Sequence, residues 1–168
     1  LMGLAVAGLV VGAYGYDRPV DCRVDALLGG IQWGQTTAND EDGSPCCYNY
    51  YVTNLVDAAN AHVGCFPVAV GQVMKYWRCD CTNGPVTVDC VVSDGTTAVT
   101  NAFTTFGGPY DWANMPEETH ETEPTPTQRE AIGRLMYDLA VASASTFSTN
   151  LTTASPLSVL RCMLERVG

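Results

Sequence analysis

Between Cys65 and Trp77 the apolar residues Phe66, Ala69, Val70, Val73, Met74 and Trp77 recur at spacings of three and four. That period predicts a helix over 65–77 with one apolar face. Pro67 falls in the first turn, where a missing N–H costs nothing, and "CDCTNGP" stops the run. A second helical pattern extends from Gln128 to Ala142, with Ile132, Leu135, Met136 and Leu139 on one face. A third opens with Ser155 as N-cap and Pro156 at the first helical position, and continues toward Gly168. Between the first two helices the period changes to two. "PVTVDCVV" and "TTAVTNAFT" flank Ser93-Asp94-Gly95, which predicts a β-hairpin. Residues 16–46 are rich in Gly, Asp and Thr and read as loops around a short "IQWGQ" segment, ending in the polar turn cluster "TTANDEDGSPCC". "PEETHETEPTPT" reads as an acidic, proline-bearing loop. No internal repeat is present. The predicted order is helix, hairpin, helix, helix, an α+β chain.

The chain of 168 residues is long enough to bury a sizeable core, and 46% hydrophobic content fits a globular protein. Its net charge of −10 opposes nucleic acid, which is bound by Lys and Arg that displace counterions. The same charge opposes anionic membrane surfaces. Residues 1–23 begin with "LMGLAVAGLVVGAYG", apolar but shorter than the roughly 20 residues of a membrane span. The stretch resembles a secretory signal core without a basic start, and equally a buried strand or helix. Asn150-Leu151-Thr152 is a glycosylation sequon, relevant only in a secreting, glycosylating host.

Eight cysteines are many for a cytosolic chain, and none forms a C-x-x-C pair of the kind a zinc finger uses. Cys46-Cys47, or Cys79 with Cys81, could chelate a metal. Disulfides in an oxidising compartment are the expected use. One cysteine reserved as a thiol leaves an odd number for pairing. No cofactor or metal site is predicted.

Cys65 stands out by position. A helix N-terminus exposes unpaired N–H groups and a partial positive charge, which stabilise a thiolate. Gly64 before it allows a substrate backbone to approach, and the Cys65 N–H can donate to an oxyanion. A structural cysteine that merely begins a helix is the competing interpretation. Gln35, thirty residues earlier, offers a side-chain N–H as a second oxyanion donor.

The blocks "LLGGIQWGQ", "GCFPVAVGQVMKYW", "YDWANM" and "AIGRLMYDLAVA" resemble successive segments of the streptopain family of secreted bacterial cysteine peptidases. The core G-C-x-x-x-A-x-x-Q-[IV]-M-K-Y is matched by Gly64, Cys65, Ala69, Gln72, Val73, Met74, Lys75 and Tyr76. The resemblance spans residues 24–168. It implies the papain-like fold, divided into a helical half and a β-rich half, with Cys65 as nucleophile and Gln35 in the oxyanion hole. It implies peptide or protein substrates and secretion. The family's histidine base lies downstream in a G-H-A-like strand followed by a Trp-containing segment, and neither motif occurs here. His62 lies three residues before Cys65 and is a candidate cleft-lining residue. His120 sits in a polar loop where solvation is the default.

The sequence therefore reads as a partial catalytic domain, the helical half with its hairpin, whose partner is a β-rich half carrying the histidine. Such a chain is expected to be inactive alone and to expose an apolar strip beside Cys65. A non-catalytic binding or inhibitory module derived from a peptidase half is the alternative. Two departures from the family bear on this reading. "TFSTNLTTASP" replaces a glycine-rich cleft segment, and the cysteine count predicts disulfides at Cys79, Cys81 and Cys90 around the hairpin.

Overall fold

A computed structural model describes residues 28–34, 47–56, 59–80, 84–119, 123–148 and 151–162. Among these described residues three helices, α1 (Cys65–Trp77), α2 (Pro126–Ala142) and α3 (Pro156–Cys162), pack with a small sheet. Strands β1 (Thr53–Val56) and β2 (Ala59–Asn60) form a short antiparallel pair leading toward α1. Strands β3 (Thr87–Ser93) and β4 (Ala98–Thr104) are the predicted hairpin. Its turn is closed by Asp94, whose Oδ1 accepts from the Thr96 and Thr97 N–H groups at 2.7 and 2.6 Å. Strand β5 (Thr146–Ser148) joins β3 in parallel, so the sheet order is β4-β3-β5.

α2 is the centre of the fold. The four residues of its predicted face, Ile132, Leu135, Met136 and Leu139, are essentially fully buried. So are Ala140 and Val141, because α1, the 3₁₀ turn Cys47–Asn49 and β3 pack around different sides of this helix. The helix begins two residues before the predicted start. Thr125 accepts from the Gln128 N–H, and the Gln128 side chain accepts from the Thr125 N–H at 2.8 Å, a reciprocal capping box in the segment read as loop.

α1 has the predicted bounds, and its apolar face is divided between core and surface. Pro67, Val68, Val70, Gly71 and Met74 are buried, whereas Ala69, Val73 and Trp77 are exposed. α2 meets the helix at Gly71, where a Cβ would overlap the terminal methyl of Met136 and touch Trp33 at an ordinary 3.5 Å. The apolar residues exceed what one contact can cover, and the remainder form a stripe. β5 lies in "TFSTNLTTASP", where its three residues, too few for a readable alternation, pair with β3 and bury Phe147 completely.

Within the described residues, Cys47, Cys65, Cys79, Cys90 and Cys162 carry thiols and form no disulfide. This corrects the expectation of disulfides around the hairpin at Cys79 and Cys90; Cys81, like Cys22 and Cys46, lies outside those residues. Cys90 points inward, its thiol donating to the Val141 carbonyl at 3.7 Å, and burial pushes its pKa up to about 11. α3 starts at Pro156 as predicted, with the Ser155 hydroxyl accepting from the Ser158 N–H at 3.1 Å.

Candidate active site

Cys65 is the first residue of α1, and its side chain is exposed. The N-cap is Gly64 at φ 97°, and no side chain caps the helix. A β-carbon there would be strained by the backbone angle and would stand 3.2 Å from the Thr152 carbonyl oxygen. Glycine is thus required by conformation and by space at the residue that turns the chain into the helix. No acidic residue lies in the first turn to oppose a negative charge on the thiol.

Three elements hold the approach to Cys65. The Val63 N–H donates to Asn49 Oδ1 at 2.8 Å, and both residues are buried. The His62 N–H donates to the Ser148 carbonyl of β5 at 3.3 Å. Thr152 packs over Gly64, and its hydroxyl accepts from the Ser148 N–H at 3.1 Å. Asn49 was not singled out from sequence. The available signal was an amide inside the aromatic and apolar run "CCYNYYV", a setting that implies a buried polar group with a specific partner.

His62 itself is half-buried. Its Nδ1 is buried without a hydrogen-bond partner, so no imidazole–thiol hydrogen bond forms through that nitrogen. Gln35 and His120 lie outside the described residues. The segment before Gln35 is anchored on the flank of α1: Trp33 is buried, packs against Gly71, and donates from Nε1 to the Pro116 carbonyl at 2.8 Å. The Gln32 N–H donates to the Glu117 carbonyl at 2.7 Å.

The "YDWANM" block is the strap to which these bonds lead. Asp138, buried on α2, accepts from the Phe106 and Gly107 N–H groups at 2.7 and 2.8 Å and from the Tyr110 hydroxyl at 2.9 Å. Asp80, just past α1, accepts from the Tyr110 N–H at 2.7 Å and from Trp112 Nε1 at 3.1 Å. Lys75 Nζ donates to the Trp112 carbonyl at 2.8 Å, and burial holds its ammonium below the usual lysine range. The strap ties the end of α1 to the middle of α2 and so steadies the helix that presents Cys65.

A sequence model of the Peptidase C10 family matches residues 43–166, most of the chain. This chain belongs to the peptidase C10 family. That is the streptopain family whose blocks were recognised in the sequence. Two solved structures share its papain-like fold. One is the active wild-type interpain A cysteine protease of Prevotella intermedia, with a TM-score of 0.63 at 22% identity, covering 83% of this chain and 53% of that one. The other is a prointerpain A fragment from the same organism, with a TM-score of 0.62 at 22% identity, covering 83% of this chain and 41% of that one. This C10 chain thus spans about half the length of the structures it matches. No curated protein matches the sequence.

Beside Cys65, along the same side of α1, Ala69, Val73 and Trp77 follow at intervals of four residues, joined by Tyr76. Val73 is 42%, Tyr76 43% and Trp77 65% exposed. Two cavities lie elsewhere, one of about 170 Å³ lined by Tyr110, Asp111, Thr127, Glu130, Ala131 and Arg134 and one of about 300 Å³ between β3, the end of α2 and α3, and Cys65 lines neither.

Proposed function

We propose that this chain is the nucleophile-bearing part of a cysteine endopeptidase. The observation that carries the reading is an exposed Cys65 at an uncapped helix start, reached through a glycine whose conformation and packing exclude a side chain. In the proposed reaction the Cys65 thiolate attacks the scissile carbonyl of a peptide. The oxyanion accepts from the Cys65 N–H and the Gln35 side-chain N–H. The leaving amine takes a proton from a histidine, and water then hydrolyses the thioester. Neither His62 nor His120 is assigned that proton transfer. His62 is retained as a cleft-lining residue, and the base comes from a β-rich half that completes the papain-like domain.

Secretion belongs to the same reading and rests on the acidic composition and the family resemblance. The thiol state of the described cysteines gives it no support.

The test is proteolysis of casein under reducing conditions by this chain alone and with a β-rich half joined or added. The expected result is no turnover alone, turnover with the added half, and loss of that turnover in Cys65→Ala. A Gln35→Ala variant is expected to lose about 10²–10³ in rate, the magnitude typical of an oxyanion donor. Turnover that survives Cys65→Ala overturns the assignment. A completed domain that binds peptides without cleaving them establishes the non-catalytic alternative.

A further inference from the structure

Each of the three residues before Cys65 is held from outside its own segment. The Val63 N–H is held by Asn49. The other two, His62 and Gly64, are both reached from Thr152. The Thr152 hydroxyl accepts from the Ser148 N–H at 3.1 Å and donates to the Ser148 carbonyl at 3.4 Å. That same carbonyl accepts from the His62 N–H at 3.3 Å. The Thr152 carbonyl oxygen and Cγ2 stand 3.2 and 3.4 Å from where a β-carbon on Gly64 would lie. Thr152 is only 4% exposed, so these contacts are shielded from water.

Thr152 is itself fixed. Thr153 exchanges two backbone hydrogen bonds with Thr146, at 2.7 and 3.1 Å. Thr146 belongs to β5, which pairs with β3. Thr152 thus carries the position of the sheet to the start of α1.

The Cys65 N–H lies in the planar peptide unit that joins Gly64 to Cys65. Its direction follows the Gly64 backbone angles, φ 97° and ψ 162°. Glycine restrains such angles poorly by itself, because it has no β-carbon to narrow its conformational range. The restraint has to come from packing, and the side of Gly64 where a side chain would stand is occupied by Thr152.

We propose that Thr152 is a positioning residue for Cys65. By bearing on Gly64 and, through Ser148, on His62, it fixes the peptide unit whose N–H is the backbone donor to the oxyanion. This rests on Cys65 being the nucleophile. A donor stabilises developing charge when it is aimed before the reaction begins, and supporting contacts set that aim. Thr152 touches no substrate in this role, so it acts on turnover and not on substrate affinity.

The test compares Thr152→Val, which keeps the branched shape and removes the hydroxyl, with Thr152→Ser, which keeps the hydroxyl. Both are made in a host that does not glycosylate the Asn150-Leu151-Thr152 sequon. Amide exchange followed by NMR reads the chain directly. In Thr152→Val the His62 amide is expected to exchange about tenfold faster, as for loss of one ordinary hydrogen bond. The Gly64 and Cys65 resonances are expected to shift, while the amides in the middle of α2 keep their rates. Thr152→Ser is expected to keep the parent rate at His62. Thr153→Val, at an exposed position, is the control and leaves all of these unchanged. In the domain completed by a β-rich half, Thr152→Val is expected to lower kcat about tenfold at an unchanged KM. Parent-like exchange and resonances at 62–65 in Thr152→Val overturn the proposal. So does protection lost evenly over α2, which makes Thr152 a general stabiliser, and so does an effect confined to KM. A completed parent domain without turnover refutes the peptidase reading instead, and the amide measurements then decide on their own whether Thr152 places Gly64 and Cys65.

Discussion

Asp138 shows how a single buried charge organises the neighbourhood of the site. Burial raises its pKa above the usual carboxylate range, against the pull of two backbone N–H groups, the Tyr110 hydroxyl and nearby Arg134. An acid whose folded pKa exceeds its unfolded value binds its proton more tightly in the native state. Its contribution to stability is therefore fully present below the unfolded pKa and is lost as pH rises through the folded pKa. Asp138→Asn removes this titration and turns an N–H toward donors that need an acceptor. The variant is expected to be less stable by about 1–3 kcal/mol. Its deficit relative to the parent is expected to narrow as pH rises from about 4 to 7. Urea midpoints of both proteins across that range check this, and a deficit that widens with pH contradicts it. Nothing in "AIGRLMYDLAVA" marks Asp138 as buried on all sides, because the loop that it binds is some thirty residues away in sequence. Cys65 is the opposite case. Its neighbours in sequence, Gly64 and the helix that follows, already define its setting.

The decisive contacts at the scale of elements are close approaches made possible by glycine. Gly133 of α2 lies against the Cys47–Asn49 turn, where an added Cβ would stand 2.7 Å from Tyr50 Cβ and 3.2 Å from the Cys47 carbonyl oxygen. The same turn carries Asn49, which holds Val63 two residues before Cys65. Gly133→Ala is therefore expected to destabilise the fold by about 1–3 kcal/mol through overpacking, despite the better helix propensity of alanine. Thermal denaturation measures it, and an unchanged or higher Tm refutes the packing assignment. The bounds of α1, the hairpin turn at Asp94 and the Ser155 cap were legible because each depends on a short local pattern. The start of α2 was legible in principle from Thr125 and Gln128, but the prolines around them read more strongly as loop. β1, β2 and β5 are two to four residues long, and they are strands only because other segments pair with them.

The whole molecule presents more apolar surface along α1 than its own elements cover. The stripe of Ala69, Val73, Tyr76 and Trp77 runs from Cys65 down one side of the helix. A contiguous exposed patch of this kind usually marks a contact surface. The isolated chain is expected to bind a hydrophobic dye, to lose several-fold of that signal in Trp77→Glu, and to release dye when a β-rich half is added. Dye fluorescence titrations test this, and a parent chain that binds no dye contradicts the open-face reading. What the sequence determined by itself was the family and the type of most long elements, since these rest on period, caps and contiguous motifs. Tertiary structure alone decided which side of α1 is buried, that Cys90 is a thiol held in the core, and that Asn49, Asp80 and Asp138 steady the approach and the strap. The physical reason is that helical period identifies an apolar side without saying what covers it. Burial and polar pairing depend on groups that the fold brings together from distant parts of the chain.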